Sequence, residues 1–177
     1  MPAIPWNPSF SVAHPELDRQ HMEVLTLMNE MERLLVSAPG NYERKKRLHI
    51  LERLLHYGSR HSVLELRVLR QLGCDEDRLH HHWRAHKDFD ATVYALYREL
   101  LAGQIVLDSS ILAAIRHEFF HHILMEDRPL LASLRLRVEA GGEDSHPRPG
   151  SPWPCPVSLA PAALDRLTNS AATRLAA

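Results

Sequence analysis

The chain has 177 residues, 45% of them apolar and 24% charged, with a formal net charge of −1, which suits one domain with a sizeable core and a tail. Its arginines are scattered among Asp and Glu instead of forming the basic stripe that a nucleic-acid partner demands, and no apolar run approaches the roughly 20 residues that span a bilayer. The opening MPAIPWNPSF has neither the basic nor the apolar region of a secretory signal, and Cys74 and Cys155 make no disulfide framework, so a cytoplasmic location is the default expectation.

Residues 1–14 are expected to be extended, because Pro2, Pro5 and Pro8 discourage helix. Pro15 suits a first helical turn, with Glu16 and Asp18 near its positive end. The first helix then runs to about Ser37 with Leu17, His21, Val24, Leu25, Met28, Met31 and Leu35 on one face, and Ala38-Pro39-Gly40-Asn41 breaks it. A second helix is expected over about Tyr42–Leu72, its stripe including Leu48, Leu51, Leu54, Leu55, Gly58, His61, Glu65 and Leu69, with Gly73 ending it.

The third helix spans about Asp77–Ala102, with Leu79, His82, His86, Phe89, Val93, Leu96 and Leu100 at helical spacing, and Gly103 closes it. Asp108 is an N-cap for a fourth, whose apolar face is Ile111, Leu112, Ile115, Phe119, His122 and Ile123. Pro129 is expected to kink or end it, with Leu130–Val138 as a short continuation. No strand alternation competes, so the fold class is all-α, an antiparallel up-and-down four-helix bundle over residues 1–138 with an extended N-terminal arm. Residues 139–177, rich in Pro and Gly and then Ala, are expected to be a linker and a disordered or weakly helical tail.

Histidine is in excess, with 13 spread along the chain. Seven side chains stand out for lying in or beside the apolar stripes: His21, His61, Glu65, His82, His86, His122 and Asp127. Residues four apart differ by about 40° of rotation, so His61–Glu65 and His82–His86 each share a face. A buried Glu65 is costly unless a cation pairs with it. His122 and Asp127 are five apart and diverge by roughly 140° in a regular α-helix, so they meet only if the helix opens into a π turn, a feature that gathers at functional sites. Five imidazoles and two carboxylates suit two metal ions with shared bridges, iron foremost. Glu118–His121 matches one Glu-x-x-His element of ferritin-like bundles, but that architecture needs two, plus further glutamates. His80 and His81 are expected to face solvent, and Asp127 taken alone would be an ordinary exposed charge beside Glu126 and Arg128.

These elements resemble a bacterial hemerythrin domain. Trp6 followed by SVAHPELDRQH is similar to that family's opening tryptophan and Asp-x-Gln-His element, Tyr57-x-x-x-His61-x-x-x-Glu65 to its second motif, His82-x-x-x-His86 with Phe89 to its third, and His122-Ile123 with Asp127 to its fourth. The likeness covers about residues 6–130 in order. It implies two iron ions with an oxo or hydroxo bridge: His82, His86 and His122 on one, His21 and His61 on the other, and Glu65 and Asp127 spanning both. The iron with two histidines would keep a position open for dioxygen. The implied function is a non-haem di-iron oxygen-binding protein, a carrier, store or sensor, needing no protein nucleophile. The rivals are a di-iron enzyme reducing dioxygen, peroxide or nitric oxide, and a metal-dependent signalling module using residues 141–177.

The sequence departs from the family where Ala13-His14 replaces a small Gly-Ile pair, Ser62 a phenylalanine and Leu66 a second acid. Glu118 stands where a tryptophan is usual, and either turns outward to an arginine or adds a polar group near the cluster.

Overall fold

A computed structural model describes residues 3–36 and 41–140 of the protein. Four helical arms carry the described chain: α1 (Pro15–Val36), α2 (Asn41–Gln71), α3 (Glu76–Ala102), and a fourth made of α4 (Ser109–His122), a π turn (Ile123–Asp127) and α5 (Arg128–Glu139). Helical backbone angles persist through His122, Asp127 and Arg128, so the last three pieces form one rod. Short connections force neighbours to run antiparallel, and α1 packs on α2 and α4 while α3 packs on α2. No strand occurs among the described residues.

The termini follow the local chemistry of the sequence. Asp75 caps α3 by accepting from the Arg78 amide at 2.9 Å, and Asp108 caps α4 by accepting from Ser110 and Ile111 at 2.9 and 3.0 Å. Gly73 and Gly103 adopt φ of +73° and +72°. Each closes the preceding helix through the same pair of hydrogen bonds, Gly73 N–H to Arg70 and Cys74 N–H to Leu69, then Gly103 N–H to Leu100 and Gln104 N–H to Glu99.

Inside lie the expected stripes, with Leu17, Met28, Leu51, Leu69, Leu112 and Ile123 almost wholly buried. Pro129 does not end the fourth arm. It sits in the first turn of α5, directly after the π turn, where a missing N–H does no harm.

The N-terminal arm departs from a plain extended strand. Pro8–Phe10 make one 3₁₀ turn because the Asn7 carboxamide accepts from the Ser9 amide at 2.8 Å. Asn29 of α1 holds the arm by both backbone groups of one residue, accepting from Ile4 N–H at 3.0 Å and donating to Ile4 C=O at 2.8 Å. Asp18 receives the Val12 amide at 2.8 Å and the Ser11 hydroxyl at 2.6 Å. Just past these anchors, at the entry to α1, Ala13 adopts φ +55°, a left-handed conformation that disfavours any side chain.

No helix among the described residues is long and apolar enough to cross a membrane. The expected breaker at 38–40 and tail beyond Ala140, with Cys155 and His146, lie outside the described residues.

Candidate metal centre

All seven singled-out side chains meet in the interior. His21 comes from α1, His61 and Glu65 from α2, His82 and His86 from α3, and His122 and Asp127 from either end of the π turn. His21, Glu65 and Asp127 are 0% exposed, so their polarity needs compensation from within. The π turn supplies the predicted correction in phase: a wider turn returns the fifth residue to the starting face, and His122 Nε2 stands 2.9 Å from Asp127 Oδ1.

The distances divide the side chains into two donor groups. Glu65 Oε2 lies 2.9 Å from Nε2 of both His82 and His86, and 3.4 Å from Nε2 of His61. Asp127 Oδ1 faces His122 and, at 3.5 Å, His82, while its Oδ2 faces His21 at 3.5 Å. One group is therefore Glu65, His82, His86, His122 and Asp127, and the other His21, His61 and Asp127, with ligand atoms in each within 4.8 Å of one another.

Those atoms fit a cation better than they fit each other. Nε2 of His21, Oε1 of Glu65 and Oδ2 of Asp127 are buried without a hydrogen-bond partner, and His122 Nε2 and Asp127 Oδ1 face each other at 2.9 Å without the alignment of a hydrogen bond. Unpaired polar groups of this kind cost about 1–3 kcal/mol each, and several sharing one small volume is the signature of lone pairs aimed at a common point. His82 and His86 even bring Nε2 to Nε2 at 3.1 Å.

Electrostatics say the same. Burial pushes His86 down to about 3 and His21 to about 4, leaving both neutral at pH 7 as ligands must be. Burial also opposes charge on His82 and His122, but Glu65 beside the first, and Asp127 with Glu126 beside the second, outweigh it and raise both. The carboxyl groups of Glu65 and Asp127 are held below their usual range despite burial, chiefly by His82 for Glu65 and by His122 for Asp127. In the metal-free protein the neighbouring carboxylates thus favour protonation of His82 and His122, the charge a bound cation would otherwise supply.

Two supporting residues went unassigned in the sequence. Gln20 is buried with its carboxamide oxygen 3.0 Å from His61 Nδ1; its place directly before His21 was the available signal. Glu126, given no role in the sequence reading, turns toward His122 Nδ1 at 3.3 Å. Their four-residue spacing carried that signal. Tyr57 stacks on His61 with centroids 5.1 Å apart and an interplanar angle of 14°. The other described histidines stay out of the cluster: His49, His56, His80, His81 and His117 are exposed, and His14 and His121 are half-buried.

A cavity of about 360 Å³ reaches the cluster, with His21, His61, His86, His122 and Asp127 in its wall. Phe89, Phe119, Tyr57 and Ile123 line it, but so do Arg84, Asp90 and Glu118. Glu118 thus borders the space leading to the cluster.

Fold and site define a helical bundle built around a buried His and carboxylate centre for cations. The family model of the hemerythrin HHE cation binding domain matches residues 12–134, and the chain belongs to that family. A solved crystal structure of a leucine-to-phenylalanine mutant is similar in fold, with a TM-score of 0.65 and 20% identity over 76% of this chain and 98% of the other. No curated protein matches the chain in sequence.

Proposed function

We propose that the protein is a non-haem di-iron oxygen-binding protein, a carrier, store or sensor for dioxygen in the cytoplasm. The observation that carries the reading is the pair of donor groups joined through Asp127, with their buried lone pairs unpartnered. In this reading His82, His86 and His122 hold one iron, His21 and His61 the other, and Glu65 and Asp127 bridge them. The bound pair would supply the two electrons and the open coordination position for reversible dioxygen uptake.

The chain's own contribution is orientation and access. Glu65 and Asp127 set the spacing of the two groups, Gln20 fixes the His61 ring through Nδ1, and the cavity bordered by His21, His61, His86 and His122 would give a small molecule access to both. Ligand type alone narrows the metal without fixing it; iron is preferred because paired carboxylate bridges and five imidazoles suit a redox pair.

The wall of the cavity favours a second reading, in which the same centre reduces dioxygen, peroxide or nitric oxide. Glu118, Asp90 and Arg84 border the path, and polar groups there supply water and protons that shorten the life of an oxygenated form. Reconstitution with ferrous iron under nitrogen, metal counting, and then air decides between the two. Two irons per chain with a visible charge-transfer band that vanishes on removing oxygen is the expected result. A band that decays irreversibly to the oxidised pair points to the second reading, and no iron uptake overturns both. In the same assay Glu65→Ala should lose iron while His80→Ala keeps it; two irons retained without Glu65 would sink its bridging role.

A further inference from the structure

The inner atoms of the cluster face a cation, and the outer nitrogens of its imidazoles must also be held. His61 Nδ1 meets a neutral amide, Gln20, at 3.0 Å. At the opposite side the partner is a charge. Glu126 Oε2 lies 3.3 Å from Nδ1 of His122 and 3.9 Å from Nδ1 of His82. The first distance is within reach of a hydrogen bond, and the second is a charge contact beyond it. The two rings stack with centroids 5.0 Å apart at 27°, so a single oxygen stands at the outer edge of both. The Glu126 side chain is 15% exposed, and the turn that sends Asp127 inward leaves Glu126, one residue earlier, on the rim of the site.

We propose that Glu126 is a positioning residue for the three-histidine half of the centre, an inference that rests on the di-metal reading above. A carboxylate at Nδ1 keeps the proton there, turns Nε2 toward the cation as an acceptor and increases its donor strength. Glu126 does this for His122 by contact and for His82 by charge. The three-histidine half thereby gains an anionic support, whereas Gln20 gives His61 only an amide. The two ions are held unequally, and the ion at His82, His86 and His122 is the tighter.

Cobalt(II) titration of the full chain under nitrogen, followed by visible absorption and metal counting, tests this without redox chemistry. The wild-type protein should bind two ions in two resolved steps. Glu126→Ala should weaken one step by about 10- to 100-fold, shift the cobalt bands of that ion alone and leave helix content unchanged. Glu126→Gln, which keeps an acceptor but loses the charge, should fall between. Wild-type affinities and bands in both variants would overturn the proposal, as would equal weakening of both steps with loss of helix. Fewer than two ions on the wild-type chain would defeat the di-metal reading itself, and the proposal with it.

Discussion

Arg116 and Glu32 join α4 to α1 in the interior, and His21 and Asp127 join α1 to the π turn about 16 Å further along the bundle at 1.5 Å per residue, yet the two contacts finish differently. The Arg116 guanidinium lies 3.0 Å from Glu32, 3.1 Å from the Met28 carbonyl and 3.4 Å from Asn29 Oδ1, with only its Nε unpartnered. That cluster closes on itself. His21 and Asp127 stand 3.5 Å apart with no hydrogen bond on either His21 nitrogen or on Asp127 Oδ2, while Asp127 Oδ1 faces His122 Nε2 at 2.9 Å. Both clusters are buried to a few percent exposure or less, so burial alone does not distinguish scaffold from site. The surplus of lone pairs does.

The comparison is most easily broken at its closed end. Arg116→Leu removes the buried partner of Glu32 and should cost about 3–5 kcal/mol in chemical denaturation, with metal content unchanged. A loss below about 1 kcal/mol would mean that the ion pair is not the scaffold element described.

Acid sharpens the open end. Burial lowers His21 to about 4 and His86 to about 3 from an ordinary value of 6.5. A depressed group contributes its full stability above 6.5 and loses it as pH falls toward its folded value, about 3 kcal/mol for His21 alone at about 1.4 kcal/mol per unit. His82 and His122 are raised, burial being outweighed by their carboxylate neighbours, so their contribution is complete below 6.5 and fades as pH climbs through the raised values. The metal-free protein should therefore be most stable near pH 6.5 and weaken on both sides. A flat profile between pH 4 and 8 in denaturation of the metal-free form would contradict that electrostatic account.

The smallest effect lies outside both clusters. Ala13 is held at φ +55°, where the resembled family favours glycine, and Ala13→Gly should raise stability by about 1 kcal/mol. Thermal melting should show the gain with metal content unaltered, and a loss would mean that the strain is relieved elsewhere.

Most of the site was legible because it is periodic. Pairs four apart within apolar stripes placed His61 with Glu65 and His82 with His86, and the five-residue step from His122 to Asp127 called for the π turn that the structure contains. Helix ends were legible where Gly73 and Gly103 offered left-handed stops. Pairings between helices were not. Glu32 and Arg116 are 84 residues apart, and helical spacing says which face a residue occupies without saying what lies opposite. Glu126 stood out in no pattern beyond being a charge beside Asp127; a π turn separates neighbours that a regular helix would spread differently. The 3₁₀ turn at Pro8 depends on one Asn7 side-chain bond, too local for any pattern of hydropathy.

The Ile123–Asp127 turn also has a bearing on how this chain tolerates changes in length. A π turn is a helix with one residue too many, absorbed in place. Deleting Met125 would convert it to an ordinary turn and leave Leu131 and Leu134, both 0% exposed, facing the core as before. The same deletion in the middle of α3 would swing Val93, Leu96 and Leu100 by about 100° relative to His82 and His86. The stretch that carries Asp127 is thus where the fourth arm can gain or lose a residue without its far end leaving the bundle, so the geometry of the centre can vary between descendants of this sequence while the scaffold is inherited intact.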